Sequence, residues 1–286
     1  MLMATRYVLL TLSLPEEEMD LALGVLSGYP LIGIEQGTDE FTICFEQNDW
    51  QADYAETIVA EMIDMGLSVV FAGLKTEEDQ NWNAEWEASI DPVIVNDRIV
   101  IVPEWRAAEF DHPLTLIITP KMSFGTGHHA TTRMMCILME KHVDVDDVWV
   151  DVGTGTGVLA ILAAKLGATD VFAFDNNEWS IANSIENVTR NNVHNIVRVE
   201  HVELQDVALP SCNGLAANLY RHLVIPFASA FIRAVEPGGT ILVSGILKYD
   251  KDDVSAPFLS HGCTIVESLA ETEWCAIAFR TPEASS

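Results

Sequence analysis

The chain has 286 residues, 49% of them hydrophobic, and a formal net charge of −28. That length permits one large or two ordinary domains with a real core, and no run approaches the roughly 18 consecutive apolar residues of a membrane span. So acidic a surface repels phosphate backbones, which speaks against direct nucleic-acid binding, and it either serves solubility alone or speeds encounter with a basic protein.

In chain order, residues 6–14 alternate as a strand. Pro15 and Glu16 to Glu18 then open a helix with Leu21, Leu23, Val25 and Leu26 on its apolar side, and Gly28 and Pro30 stop it. Segments 31–35 and 41–46 read as paired strands. Asp49 is placed to cap a second helix over about 50–65, ended by Gly66, and 67–72 is a final short strand. The order β-α-β-β-α-β predicts a small α+β ferredoxin-like domain over 1–74. It carries no catalytic constellation, which leaves substrate recognition or a scaffold as its role. Segment 75–92 is polar and acidic, with Trp82 and Trp86 four apart, and predicts a helical linker.

From 93 to 286 the pattern changes. Residues 93–95 and 99–102 straddle Asn96-Asp97-Arg98 as a hairpin, 114–119 is a strand, and a helix spans about 130–140. Strands and helices then alternate over 148–152, 158–166, 171–175, 179–191, 196–200, 214–218, 221–235 and 240–244, with edge strands at 262–268 and 274–280. That rhythm predicts a mostly parallel α/β sheet covered on both faces, with ligands outside the carboxyl ends of its strands. Asp151, Asp175 and Asn218 all fall at such ends. The cysteines Cys44, Cys136, Cys212, Cys263 and Cys275 are odd in number and lack C-x-x-C spacing, so they read as reduced and mostly buried. The amino terminus has no basic segment leading into an apolar core, and a cytoplasmic protein is the simplest reading.

Two motifs carry chemistry. Residues 150–157 read Val-Asp-Val-Gly-Thr-Gly-Thr-Gly, between an apolar run and an amphipathic one. Gly153, Gly155 and Gly157 let the backbone pass close to a ligand, unless they only make a tight strand-to-helix turn. The dinucleotide fingerprint fails at Val158, where it needs Gly or Ala. The next strand ends in Asp175, where such folds hold a ribose. The second motif, Lys121 to Thr132, is a dense polar loop. Its His128 and His129 invite a metal, but adjacent histidines rarely point at one ion and the loop holds no Cys, Asp or Glu, so no metal is expected.

Asp-x-Gly-x-Gly-x-Gly resembles motif I of the class I S-adenosylmethionine-dependent methyltransferases. Ser-Phe-Gly-Thr-Gly-His-His-Ala-Thr-Thr (123–132) resembles the Ala-Phe-Gly-Thr-Gly-x-His-x-Thr-Thr loop of the ribosomal protein L11 methyltransferases. Ala-Asn-Leu-Tyr (217–220), Ile-Val-Ile-Val-Pro-Glu-Trp (99–105), Val-Ser-Gly-Ile-Leu (243–247) and the Trp-rich 82–86 segment are similar to the same family. The likeness covers about 80–280. Ser123 stands where Ala is usual and Asn213 where Asp is common.

The resemblance implies a class I methyltransferase Rossmann-like fold, S-adenosyl-L-methionine as cofactor, and ribosomal protein L11 as the protein whose lysine or N-terminal amines are methylated; a monomer is expected, though the sequence itself does not give the oligomeric state. It further implies that Phe124, Thr126, Thr131 and Thr132 surround the methionine moiety and that Gly153, Thr154, Gly155, Gly157 and Asp151 line its back. Asp175 with Asn176 would hold the ribose, Asn218 would act at the reaction centre, and His128 would orient or contact substrate. An amine attacks only in its neutral form, so the enzyme must orient and desolvate it, and a carboxamide oxygen at Asn218 can aim its lone pair. Related amino-methylating enzymes have Asn-Pro-Pro-Tyr here; Leu219 in place of proline favours aliphatic amines over planar nitrogens. Two other readings are methylation of a different protein's lysine and a non-catalytic, cofactor-binding assembly factor.

Overall fold

A computed structural model describes residues 6–15, 18–26, 28–36, 40–78, 90–119, 121 and 123–284. The chain divides into two compact units, Met1–Ser89 and Ile90–Ser286.

The first unit runs β1 (Arg6–Ser13), α1 (Met19–Leu26), β2 (Leu31–Gln36), β3 (Glu40–Glu46), α2 (Tyr54–Asp64) and β4 (Val70–Glu78). Its strands form an antiparallel sheet in the order β2-β3-β1-β4. This is the split β-α-β arrangement that the sequence order predicts. Alternation decides what is inside: Val8, Leu10 and Leu12 of β1 and Phe41, Ile43 and Phe45 of β3 point to one face, where Ala22, Leu26, Ile58 and Met62 of the helices cover them. Leu21 is exposed, so the buried stripe of α1 is set one residue away from the one read in sequence.

Two other expectations change here. Asp49 sits in a turn, its N–H donating to Glu46 O, and α2 starts later, with Asp53 as its N-cap. Trp50 is held out of the helix by edge contacts with Phe45 and Tyr54, at centroid separations of 5.0 and 5.6 Å. Residues 75–78, expected to begin a helical linker, are instead the end of β4, paired with Arg6 to Leu9 of β1. Trp82, Trp86 and the rest of 79–89 lie outside the described residues.

The second unit begins with β5 (Val93–Ile94), β6 (Ile99–Val102) and β7 (Leu114–Ile117), a small sheet in that order. Asn96 Oδ1 accepts from Arg98 N and Ile99 N, both at 2.9 Å, which makes the β5–β6 turn. There follow α3 (Ala130–His142), β8 (Val148–Val152), α4 (Val158–Leu166), β9 (Asp170–Asp175), α5 (Glu178–Arg190), β10 (Val197–His201) and β11 (Cys212–Asn218). The chain ends with α6 (Arg221–Ala234), β12 (Val235–Leu247), α7 (Lys251–Ser260), β13 (Thr264–Glu271) and β14 (Trp274–Arg280). The large sheet has seven strands in the order β10-β9-β8-β11-β12-β14-β13. The first five are parallel and the last two antiparallel. α7 has no counterpart in the expected elements.

Successive residues of the parallel strands serve opposite faces. Trp149, Val171, Ala173, Ala216 and Leu242 pack with α3 and α4. Val150, Phe172, Phe174, Leu215, Ile241 and Val243 pack with α6 and α7. Such double burial is why these strands read as nearly continuous apolar runs. Gly214 makes room for the fully buried Trp149: a Cβ there would lie 2.3 Å from the indole. Asn213, where an Asp is common, accepts from Val148 N at 2.8 Å and ties β11 to β8. Cys136, Cys212, Cys263 and Cys275 are buried, and Cys44 on β3 is half-buried.

Candidate active site

The strand order reverses between β8 and β11, since β9 and β10 extend one way and β12 the other. Carboxyl ends of strands diverge at such a point and leave a crevice. A cavity of about 600 Å³ opens there. Of the residues expected in the site, Phe124, Thr131, Gly153, Gly155, Asp175, Asn176 and Asn218 line it, and so do Leu219 and Tyr220.

The turn after β8 is fixed by its backbone. Gly153 N and Thr154 N both donate to Phe174 O, at 3.0 and 2.9 Å. Gly153, Gly155 and Gly157 have φ of +70°, +54° and +83°, the left-handed region that glycine alone enters without strain. Their bareness serves the protein as well as any ligand. A Cβ on Gly155 would meet Phe124 O at 2.3 Å, and one on Gly153 would meet Leu219 Cδ2 at 2.6 Å. The glycine turn, the Phe124 loop and the Asn218-Leu219 corner are thus packed on one another.

Thr156, fully buried, locks the first two together: its N–H donates to Phe124 O at 2.9 Å and its hydroxyl to Gly125 O at 2.8 Å. Asn187 of α5 adds a third tie, donating to Thr156 O and accepting from Thr119 N at 2.9 and 3.0 Å. Four residues on, Asn191 accepts from Ile117 N at 3.0 Å and donates back to Ile117 O at 2.6 Å.

Asp175 accepts from Gly155 N at 2.9 Å through Oδ2 and from Asn177 N at 3.0 Å through Oδ1. It therefore braces the glycine turn while lining the cavity, and its remaining lone pairs are available to hydroxyl donors. Asp151 is 2% exposed and does not reach the cavity wall. Its Oδ2 accepts from Thr154 Oγ1 at 2.7 Å and Ala160 N at 3.2 Å, and burial pushes its carboxyl up to about 6. Among the described residues, Oδ1 of Asp151 and Oδ1 of Asn218 are buried acceptors without a partner. Of the two, Asn218 lines the cavity, so its wall offers an acceptor that a ligand's N–H or O–H can satisfy.

Thr126, Thr132, Thr154 and Gly157 do not line the cavity. Thr154 and Thr132 are buried beneath it, and Gly157 caps α4. His128 is not brought to the wall either: it is exposed, with Nδ1 3.3 Å from Thr126 Oγ1. Its neighbour His129 takes the wall position instead. His129 is the N-cap of α3, and its Nδ1 accepts from Thr131 N at 3.3 Å and contacts Thr131 Oγ1 at 2.7 Å. A backbone N–H only donates, so Nδ1 bears the lone pair and the ring proton sits on Nε2. The imidazole lies between Phe124 and Trp274, at centroid separations of 5.3 and 4.8 Å.

Sequence reasoning did not find His129, Trp274, Ser180, or the segment Val202 to Gln205 after β10. For the last, the position just past a parallel strand's carboxyl end was a usable signal. For Trp274 there was none. It enters because antiparallel β14 lies beside β12, where Trp274 pairs with Leu247. Near it Gly245 (φ +80°) leaves space for Leu219, whose carbonyl oxygen would lie 2.6 Å from a Cβ.

The sequence profile of the ribosomal protein L11 methyltransferases (PrmA) matches residues 35–282. The chain is similar to the ribosomal protein L11 methyltransferase of Chlorobaculum tepidum, 34% identical over 279 residues that make up 94% of each chain. The enzyme of that name from Chlorobaculum parvum is 36% identical over 236 residues, 80% of each chain. Among solved structures, the ribosomal protein L11 methylase of Lactobacillus delbrueckii subsp. bulgaricus superposes with a TM-score of 0.62, covering 68% of this chain and 100% of that one. At 22% identity it bears on the fold alone.

Proposed function

The chain belongs to the ribosomal protein L11 methyltransferase family, and on that premise we propose that it transfers methyl groups from S-adenosylmethionine to lysine or N-terminal amines of ribosomal protein L11. The observation that carries this reading is Asn218 Oδ1, a buried acceptor with no partner among the described residues, in the cavity lined by Gly153, Gly155 and Asp175. The cofactor supplies an electrophilic methyl on a sulfonium.

What the chain's own residues do follows from the state of the amine. A lysine ammonium titrates near 10.4 and an α-amino group near 7.7–8.0, and the charged form has no lone pair to attack with. Phe124, Leu219, Leu223 and Trp274 line the cavity with apolar surface. Desolvation by such walls favours the neutral amine and shifts its titration down. Asn218 Oδ1 then accepts one N–H and fixes where the lone pair points. His129, with its proton on Nε2, is a donor and a wall. It is not placed to take up the released proton while Nδ1 caps α3. That proton leaves with solvent before attack, which is consistent with an enzyme that orients its amine and supplies no strong base.

The amino-terminal unit is assigned to capture of the protein substrate. In support, β4 is an edge strand, and Val70, Phe71 and Leu74 on it are exposed.

The test is methyl transfer to purified L11 from labelled S-adenosylmethionine. Asn218→Ala should lower kcat by about 10²-fold or more, the scale of losing one aligned polar contact at a reaction centre, with cofactor affinity nearly kept. Full activity in that variant removes the role given to Asn218. No transfer to L11 by the unaltered chain, with transfer to another protein, changes the substrate and leaves the chemistry.

A further inference from the structure

Arg133 lies one turn into α3, and its guanidinium reaches three groups from two distant segments. It donates to Gly127 O at 3.2 Å and to His128 O, and it pairs with Glu271, which is 138 residues away in the chain. Gly127 and His128 lead into His129, one side of the cavity wall. Glu271 ends β13, and after a turn with Thr272 at φ +52° the chain enters β14 at Trp274, the opposing aromatic of that wall. The planar fork of arginine suits this work, because its donors diverge at fixed angles and hold carbonyls and a carboxylate at once. A lysine at 133 would reach one of them.

Resting on the reading of this cavity as an amine methylation site, we propose that Arg133 and Glu271 are a positioning pair. They set the 4.8 Å contact between His129 and Trp274, and with it the width of the amine entrance beside Asn218. Neither residue lines the cavity, so both act through the two rings. The pair joins a loop that follows β7 to a hairpin at the other end of the chain, and loss of either partner lets the two segments move independently.

The consequence is selective. Adenosylmethionine, bound on the glycine turn and Asp175, should be nearly unaffected, whereas the incoming side chain should lose its guide. In steady-state kinetics with the full chain, Glu271→Gln should raise KM for L11 roughly tenfold, as expected when an acceptor is misplaced by a fraction of an ångström, and leave KM for S-adenosylmethionine within about twofold. Arg133→Gln should do the same or more, and adding Glu271→Gln to it should change nothing further, since the pair is already broken. Hydrogen exchange supplies a readout that needs no activity: in Glu271→Gln, segments 123–129 and 270–275 should both exchange faster. Equal losses for both substrates, additive effects in the double variant, or faster exchange in the hairpin alone would each overturn the proposal. Absence of methyl transfer by the unaltered enzyme removes the reading of the site, and the exchange result then still decides the pair.

Discussion

Asp151 shows how a single residue is tuned by what surrounds it. It is buried, it uses one oxygen to hold Thr154 and Ala160, and its other oxygen has no partner among the described residues. Burial raises its carboxyl to about 6 from an ordinary value of 3.8. A carboxyl raised in the folded state destabilises that state once it ionises: the penalty is absent below the unfolded value, grows as pH rises, and is complete above about 6. Asp151→Asn removes the charge, so its stability relative to the unaltered protein should improve by roughly 1–1.5 kcal/mol between about pH 5 and pH 7.5, read from urea unfolding. A parallel pH dependence in the two proteins counts against this. Adenosylmethionine carries an ammonium that favours the ionised form, so its affinity for the unaltered protein should fall as pH drops below about 6, and calorimetry of the Asn variant should show a flatter, weaker profile. At this scale the sequence was only partly legible. Motif I singles out Asp151, and what the fold adds is its burial beneath the turn with Thr154 and Ala160 as partners. Of the adjacent His128 and His129, the loop motif Phe-Gly-Thr-Gly-x-His aligns its His with His129 and its variable position with His128, so the wall histidine was legible there, and the capping of α3 by His129 is what fixes its ring.

At the scale of elements, the site depends on how three loops are pinned, and α5 does much of the pinning. Asn183, Asn187 and the C-cap Asn191 recur every four residues, so one face carries amides; Asn191 clamps Ile117 at the end of β7 and Asn187 holds Thr119 just after it. All three are buried. Asn187→Leu leaves Thr119 N without its partner and removes the bond to Thr156 O, at about 1–3 kcal/mol for each buried group. The variant should therefore lose about 2–5 kcal/mol in urea unfolding, and a loss under about 1 kcal/mol would show that water replaces the amide. The strands and helices around the sheet were legible because burial on both faces writes apolar runs of strand length, and glycines punctuate them. α7 was not, because Pro257 and the acids Asp252 and Asp253 conceal its short apolar stripe of Val254 and Phe258. β12 is longer than its apolar run because it begins at Val235, which pairs with Cys212, and the register then shifts past the charge and glycines of 236–239 before Thr240 pairs with Gly214.

For the whole molecule, 43 acidic against 15 basic residues set the approach of any partner. A basic protein substrate is drawn in by that field, and the attraction is screened within a Debye length of about 10 Å at 0.1 M salt. KM for L11 should accordingly rise several-fold between about 50 and 300 mM salt, while KM for the cofactor moves little. A flat response for L11 would leave the charge as a solubility feature only. The chain divides into two units after Ser89, and the match of the family profile, over residues 35–282, runs across that division.

The distribution of sulfur gives the molecule an unplanned experimental handle. Burial pushes the thiols of Cys136 and Cys212 up to about 12 and raises those of Cys263 and Cys275, and reagents that attack thiolates find almost none there. Cys44, half-buried on β3, is in the amino-terminal unit. A maleimide dye added under native conditions should therefore leave Cys136, Cys212, Cys263 and Cys275 unmarked, so that a reporter cysteine placed by mutation anywhere on the surface of the second unit is read against a chemically silent background.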